Sequence, residues 1–565
     1  MKGRKLIAVV LVLVMIAAVS LSACNNDKGS SGGGTTSGGT TSSDPGNTSG
    51  DPTDLGKQIA QAAIDYGKLV ASEVKDSATS SKDTFTFAAV LEPGLIRLDR
   101  MLDFTQMPFC TAAQEYFLQW DYASETFISR LCDSYEVDAD NKGVTFNLKP
   151  GIKMHDGNTF GPQDVMTSIQ AFRDHNVMGW QLDFVDLEAS EAVNDTTLHL
   201  QFKDVNGTWE SGFVMFTVIS GEAYNAVGGD ESFYEAPIGP MPYQVTEWAP
   251  GDHITLTRFD DYYLGTPPIK TITMKIISDR TAAFMALQNG EIDLLWSISA
   301  DQVKTVYASD AMENLMTGAN MMIYMGMNSG NEALSDLRVR EAIYLAVNRD
   351  DIILGAYDGL ATVANSMVSP ESIGYNKSYD TNSPFPAQDI EKAKSLLADA
   401  GYGNGLTLRL LAESTINFQL VTEQLVAQLD AIGITLEPML TDSATLTSIV
   451  FSSDTSGYDL YLHVAQAAGD SINMVDNPML FGASHPELSA DGSGTEYAAL
   501  WGKVRSTPKL ADRAKAYEDV QAYFFEKGKY WLPLAVSQTY VGVNTDLTGM
   551  VRGGIMIYFD HAYFR

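Results

Sequence analysis

Apolar residues recur along this chain at two different spacings, and each spacing predicts a different kind of secondary structure. Between Leu55 and about Lys75 they recur among polar residues at roughly helical intervals, which predicts an amphipathic helix. The run Thr-Phe-Thr-Phe-Ala-Ala-Val at 84–90 is typical of a strand. The sequence leaves open whether the first helix packs on the body that this strand begins.

Further along, helical and strand-like segments alternate. Pro162 opens a helix whose apolar face carries Val165, and Asp336 is placed to cap another. Gly401 and Gly433 follow two more helical segments, as C-terminal glycines do. Short apolar runs at 272–277, 434–436 and 458–462 predict strands between the helices. The alternation predicts a mixed α/β fold, and we find no internal repeat.

The N-terminus carries a pattern of its own. Three basic residues within the first five precede an apolar stretch, 6–20, that is short for a membrane span. Leu21-Ser22-Ala23-Cys24 resembles the lipobox of bacterial lipoproteins, which implies cleavage before Cys24 and a lipid on its sulfur. The alternative is an ordinary secretory signal with a chance cysteine. Residues 25–54 are rich in Gly, Ser, Thr, Asp and Asn and are expected to form a flexible tether.

Composition narrows the classes of function. A chain of 565 residues is long enough for two or more domains, and its net charge of −34 disfavours nucleic acid and anionic surfaces as partners. The acidic balance serves solubility, and it is also suited to attracting cationic ligands. Cys110 and Cys132 remain after Cys24, and the sequence alone leaves their pairing open.

Signals for catalysis or a metal are weak. The seven histidines are dispersed without the spacing of a zinc motif, and no Gly-x-Ser-x-Gly elbow occurs. His155 and Asp156 suggest a metal or an acid–base pair, but Asp156-Gly157 is turn chemistry and favours a structural role. We therefore expect no enzyme activity, no metal site and no cofactor.

Four separated stretches resemble the extracellular solute-binding proteins of ABC importers, family 5, the oligopeptide, dipeptide and nickel group. They occur in the family's order and cover nearly everything after residue 83; they are 131–165, 237–293, 336–349 and 389–461, the last interrupted. Characteristic pieces include Lys149-Pro150-Gly151-Ile152 and Ala346-Val347-Asn348-Arg349.

The resemblance implies a two-lobed fold like that of periplasmic binding proteins (type II, the large cluster with an extra sub-lobe). A ligand cleft would lie between lobes joined by a hinge. Expected boundaries are 1–23 for the signal peptide, 24–54 for the tether, 55–82 for a helical extension, 83–317 with 539–565 for lobe I, about 121–224 for its sub-lobe, and 318–538 for lobe II.

The resemblance also implies ligand-binding residues. Peptide-binding members hold the ligand's amine with an Asp just after the strand that 458–462 resembles, and Asp470 falls near that position. The alternative is a solvated loop carboxylate. Candidates in the same segment are His463, Gln466, Gly469 and Asn473; Glu92 and Tyr116 are candidates from lobe I, although Tyr116 also suits a core.

Two departures from the family pattern bear on the ligand. The Trp-rich stretch and the Asp-Tyr-Pro-Asp-Pro that usually follows it in peptide binders are missing here. The usual Gly-Thr-Gly-Pro-Tyr is replaced by Gly239-Pro240-Met241-Pro242-Tyr243. The architecture is unaffected by these changes, but the ligand class is left open.

The sequence thus predicts a lipid-anchored receptor outside the cytoplasmic membrane, on a Gram-positive-like cell surface. As a monomer it would capture a small solute, expected to be a peptide, by lobe closure and deliver it to ABC permease and ATPase subunits. The alternatives are a binder of an oligosaccharide or metal chelate, and a signalling-peptide sensor without transport.

Overall fold

The computed structural model describes residues 52–72, 80–97, 104–121, 126–176, 179–214, 216–317, 321–366, 368–370, 372–450, 452, 454–466, 485, 496–553 and 556–565. Its α-helices are α1 (Pro52–Ser72), α2 (Met107–Ala112), α3 (Pro162–His175), α4 (Gly221–Ala226), α5 (Arg280–Gln288), α6 (Ala300–Tyr307), α7 (Glu332–Ser335), α8 (Leu337–Ala346), α9 (Arg349–Tyr357), α10 (Ile390–Asp399), α11 (Ile416–Asp430), α12 (Ser443–Val450), α13 (Glu496–Arg505) and α14 (Leu510–Ala522). Shorter 3-10 turns include Trp209–Phe213, and a π-helical turn spans Tyr523–Gly528.

The strands are β1 (Thr84–Ala89), β2 (Gln119–Asp121), β3 (Thr126–Ile128), β4 (Cys132–Val137), β5 (Gly143–Leu148), β6 (Val185–Asn194), β7 (Thr197–Phe202), β8 (Tyr243–Ala249), β9 (His253–Arg258), β10 (Thr271–Ile276), β11 (Leu294–Trp296), β12 (Met312–Met316), β13 (Met321–Met327), β14 (Thr362–Val363), β15 (Leu406–Glu413), β16 (Ile434–Thr441), β17 (Leu460–Gln466), β18 (Trp531–Ser537), β19 (Tyr540–Asn544), β20 (Leu547–Thr548), β21 (Val551–Gly553), β22 (Met556–Tyr558) and β23 (Tyr563–Phe564).

The three largest sheets contain most of these strands. A seven-stranded sheet has the order β12-β19-β11-β1-β10-β9-β8, and a six-stranded sheet has the order β14-β18-β13-β17-β15-β16. A four-stranded antiparallel sheet, β4-β5-β7-β6, has a separate core that includes Phe146 and Trp209. The three sheets draw their strands from the residues assigned above to lobe I, lobe II and the sub-lobe, respectively; the boundaries themselves stay a prediction.

The predicted local elements are confirmed in the described residues. The Asp336 carboxylate caps α8 by accepting a bond from the Arg338 amide at 2.9 Å. Gly401 and Gly433 have φ of 95° and 85°, a left-handed conformation that only glycine adopts easily, and they follow α10 and α11. Gly157 has φ 84° in the turn expected after His155.

Helix α1 packs against the body of the protein. Its apolar stripe buries Ile59, Ala63 and Val70, and the Tyr66 hydroxyl donates to the Leu547 carbonyl at 3.3 Å. Near its start, Gly56 lies so close to Gly359 that an added Cβ would meet the Gly359 carbonyl oxygen at 2.1 Å. The helix therefore touches both the lobe I core and a lobe II loop.

Cys110 and Cys132 are both buried and are not joined to each other. Cys132 belongs to the sub-lobe core, where burial raises its pKa to about 12. The two thiols thus do not form the disulfide that the sequence leaves open.

Candidate functional site

The directions of the strands show which edges of the seven-stranded and six-stranded sheets lie nearest to the hinge. The chain passes between the sheets twice, from the end of β12 to the start of β13 and from the end of β18 to the start of β19. These two crossings, one after Thr317 and the other at 538–539, are the hinge, and the Thr317 amide donates to the Thr539 carbonyl at 3.0 Å.

In lobe I, β11 and β12 both pair antiparallel with β19, and β1 pairs parallel with β10 and β11. The carboxyl ends of these four strands therefore lie on the edge from which the chain leaves for lobe II. In lobe II, Met321 at the start of β13 pairs with both Gln466 and Ser537. Since β15, β16 and β17 are parallel, their carboxyl ends also lie at the hinge.

Ligands of open α/β sheets bind beyond the carboxyl ends of parallel strands. In this protein the carboxyl ends of the parallel strands of both lobes border the same space beside the hinge. We call these two rows of strand ends the cleft edges, and they form the candidate binding site.

Glu413, the last residue of β15, lies on the lobe II edge. It is half-buried, and burial raises its pKa while a hydrogen bond from Ser443 opposes that rise. Sequence reasoning missed this carboxylate. The sequence shows an acidic residue at the end of an apolar strand, but this pattern indicates a binding residue only when the order of the strands in the sheet is known.

His463 lies on β17 close to the same edge. Its Nδ1 is 2.8 Å from the Val464 carbonyl oxygen, and its ring lies 6.1 Å from that of Tyr324. Burial lowers its pKa, so the imidazole is neutral at pH 7 and presents hydrogen-bonding nitrogens without charge. The structure describes the backbone of Gln466, which pairs with Met321.

Glu92 follows β1 on the lobe I edge, and its carboxylate is already engaged. The Trp248 indole donates to Oε1 at 2.7 Å, and the Gly251 amide donates to Oε2 at 3.0 Å. The residue therefore fastens the turn between β8 and β9 to the end of β1. Ser297, at the end of β11, is half-exposed and has φ 61°, a strained conformation of the kind concentrated at functional sites.

Tyr116 is a residue of the lobe I core. Its side chain is 1% exposed in the lobe I core, and its hydroxyl donates to Gln114 at 3.3 Å. A ligand contact by Tyr116 stays a prediction that this placement does not favour. Gly469, Asp470, Asn473 and Cys24 lie outside the described residues.

A separate polar cavity of about 390 Å³ lies in the sub-lobe between α3 and α4. Asp164 lines it, but its two carboxylate oxygens accept the amides of Gly161 and Gly221 at 2.9 Å each. Asp156 likewise accepts the Asn158 amide and the Ser220 hydroxyl, which confirms the structural role expected for this turn. In the described part of the chain, no three His, Cys, Asp or Glu side chains form a metal-binding group.

Two α/β lobes joined by two adjacent crossings, with strand ends facing each other at the hinge, define a two-lobed solute-binding protein. The chain belongs to the bacterial extracellular solute-binding proteins, family 5, whose middle region matches residues 126–485. Members are the solute-binding, non-enzymatic components of ABC importers. No helix in the described ranges is long and apolar enough to cross a membrane.

Individual relatives agree with this assignment. The glutathione-binding protein GsiB of Pectobacterium atrosepticum is 27% identical over 442 residues, which cover 75% of this chain and 82% of GsiB. The structure of CtaP from Listeria monocytogenes matches with a TM-score of 0.74 at 23% identity, over 86% of this chain and all of CtaP. That of DppA from Helicobacter pylori, solved with the peptide STSA, matches with a TM-score of 0.70 at 19% identity, over 85% and 98%. The predicted two-lobed fold is confirmed.

Proposed function

We propose that this protein is a lipid-anchored receptor that captures a peptide or a peptide-like solute between its lobes for an ABC importer. The observation that carries the proposal is the pair of cleft edges, where Glu413 and His463 lie at neighbouring strands. Support for a peptide-like ligand comes from relatives, since GsiB is named for glutathione, itself a modified tripeptide.

The chemistry of the lobe II edge suits the amine of such a solute. A desolvated ammonium needs a charge-assisted partner, and a half-buried carboxylate provides one. Glu413 is one candidate, and Asp470, four positions after the end of β17 at Gln466, is the other. The neutral ring of His463 is suited to the amide groups of the same solute.

We expect glutathione or short peptides to bind the purified full-length protein in calorimetry, and native mass spectrometry to detect any solute that co-purifies. Glu413→Gln and Asp470→Asn should weaken binding by about tenfold or more if each pairs with the amine. Glu437→Gln removes an exposed carboxylate from β16 and serves as the matched control.

A co-purifying sugar or metal chelate, with no binding of peptides, would contradict the peptide assignment and retain the two-lobed receptor. This second candidate is favoured by the missing Trp-rich stretch and by the altered 239–243 segment. Peptide binding without uptake in cells that carry the permease would favour a sensor instead.

Lipid anchoring rests on the Leu21–Cys24 pattern. We expect the protein to take up radiolabelled fatty acid and to fractionate with membranes. Cys24→Ser should abolish both; labelling that persists in this variant would contradict attachment at Cys24.

A further inference from the structure

Besides the hinge and the contact of α1 with the lobe II loop at Gly359, the two lobes meet on a further pair of chain segments. The sub-lobe segment that enters the 3-10 turn Trp209–Phe213 meets the connection between α13 and α14 in lobe II. The Gly207 amide donates to the Arg505 carbonyl at 2.7 Å, and the Arg513 guanidinium donates to the Gly207 carbonyl.

The same contact contains a buried ion pair. Arg513 Nη2 lies 3.5 Å from Glu210 Oε2, and the two side chains are 0% and 8% exposed. Glu210 is flanked by Trp209 of the sub-lobe core, whereas Arg513 lies on the helix that contributes Tyr517 to the lobe II core. The ion pair therefore links the sub-lobe core to the lobe II core.

The approach of the two backbones requires a glycine. A Cβ at Gly207 would lie 2.7 Å from the Arg505 carbonyl oxygen and 2.9 Å from the Thr507 carbonyl carbon, closer than real Cβ contacts. Because packed surfaces resist small displacements, this contact forms completely or is lost.

We propose that Gly207, Glu210 and Arg513 form a latch that sets the balance between open and closed lobes without touching the solute. This inference rests on the proposed capture of a solute by lobe closure. When the lobes separate, water reaches both charges. When the lobes close, each charge loses water, and the attraction between the two charges offsets part of that cost. Removing one partner therefore penalises closure, whereas replacing both by neutral residues relieves that penalty.

Hydrogen exchange of the full-length protein tests the latch without a ligand, because the Gly207 amide is protected by its bond across the contact. In Glu210→Gln, amides of the 205–213 peptide should exchange at least about tenfold faster, since Arg513 loses its ion pair with Glu210. The double variant Glu210→Gln/Arg513→Met should return exchange towards the wild-type rate. Lys503→Met removes a cation from an exposed pair within lobe II, with Asp519, and should leave this peptide unchanged.

Gly207→Ala gives a second test that changes no charge, and it should accelerate exchange through its steric clash. X-ray scattering should show a larger radius of gyration for both single variants. Unchanged exchange and radius in Glu210→Gln and Gly207→Ala would overturn the latch, as would a double variant that opens more than Glu210→Gln.

Solute binding separates the latch from the proposed function. If the solute binds only the closed form, affinity in Glu210→Gln should fall by the same factor as the closed population. If the wild type binds peptides and both single variants bind them with the same affinity, the latch is overturned and the receptor proposal stands. Faster exchange in the variants with no peptide binding by the wild type would support the latch and count against the peptide assignment.

Discussion

Replacing Arg130 should destabilise the protein strongly, and in a pH-dependent way. Arg130 lies between two buried carboxylates, with Nε 3.4 Å from Glu115 and Nη2 2.5 Å from Asp560. The Tyr262 hydroxyl accepts a bond from Arg130 at 2.7 Å and donates one to Glu115 at 2.8 Å. Burial raises the pKa of Glu115, and the attraction of Arg130 opposes that rise.

Arg130→Met keeps most of the apolar stem but removes the charge. Breaking a buried ion pair by removing one partner costs about 3–5 kcal/mol, and Arg130 serves two carboxylates that are 2% and 5% exposed. We expect a loss of about 4 kcal/mol in the free energy of unfolding at pH 7.5. Arg338→Met, which removes a cation that is 49% exposed, should cost far less, because solvent screens an exposed ion pair.

The loss should shrink as the pH falls. Without Arg130, the folded variant gains a proton on a buried carboxylate, whereas the unfolded chain has an ordinary carboxyl pKa and stays ionised. The free energy of unfolding of the variant therefore rises as the pH falls from 7.5 to 5.5. The rise is about 1.4 kcal/mol per pH unit for each additional proton that the folded state binds. Urea unfolding followed by tryptophan fluorescence at pH 7.5 and 5.5 measures this change. A loss equal to that of Arg338→Met, or one that grows at pH 5.5, would refute the reasoning.

Three further predictions follow from single buried groups. Ile59→Asp should release α1, at a cost of at least about 2 kcal/mol, and expose it to proteolysis, whereas Leu69→Asp at a 47% exposed position should not. Cys132, with its pKa raised to about 12, should resist a thiol reagent at pH 8 until the protein unfolds. Burial lowers the pKa of His155 to about 4, so the contribution of the neutral ring to the free energy of unfolding is lost as the pH falls from about 6.5 to 4. In thermal unfolding, His155→Gln should therefore lose less stability than the wild type over that interval.

Features that depend on nearby residues could be predicted from the sequence. The cap at Asp336, the turn at Gly157 and the ends of α10 and α11 depend on neighbours within a few positions. The two-lobed arrangement came from resemblance, because sheet order depends on pairings between distant strands. No local pattern indicates that β1 pairs with both β10 and β11.

The site was harder to predict for the same reason. Glu413 gains a role only because the carboxyl ends of β15 and β17 lie side by side at the hinge. Glu92 was placed near the cleft by resemblance, but its bonds to Trp248 and Gly251 depend on a strand pair more than 150 positions away. Tyr116 shows a different difficulty. The sequence cannot distinguish an aromatic residue that lines a pocket from one that is buried in a core, and Tyr116 is buried in the core.

The contact of α1 with Gly359 and the latch differ in how far lobe movement displaces them. Gly359 lies three residues before Thr362 of β14. Thr362 pairs with Val536, which is one residue before the end of β18 at the hinge. The contact of Gly56 with Gly359 thus lies near the axis, where rotation moves atoms least. Arg513 belongs to α14, which leads through the π-helical turn to Trp531, the end of β18 away from the hinge. A given rotation should therefore separate Arg513 from Glu210 before it separates α1 from lobe II, so α1 can stay docked while the latch opens.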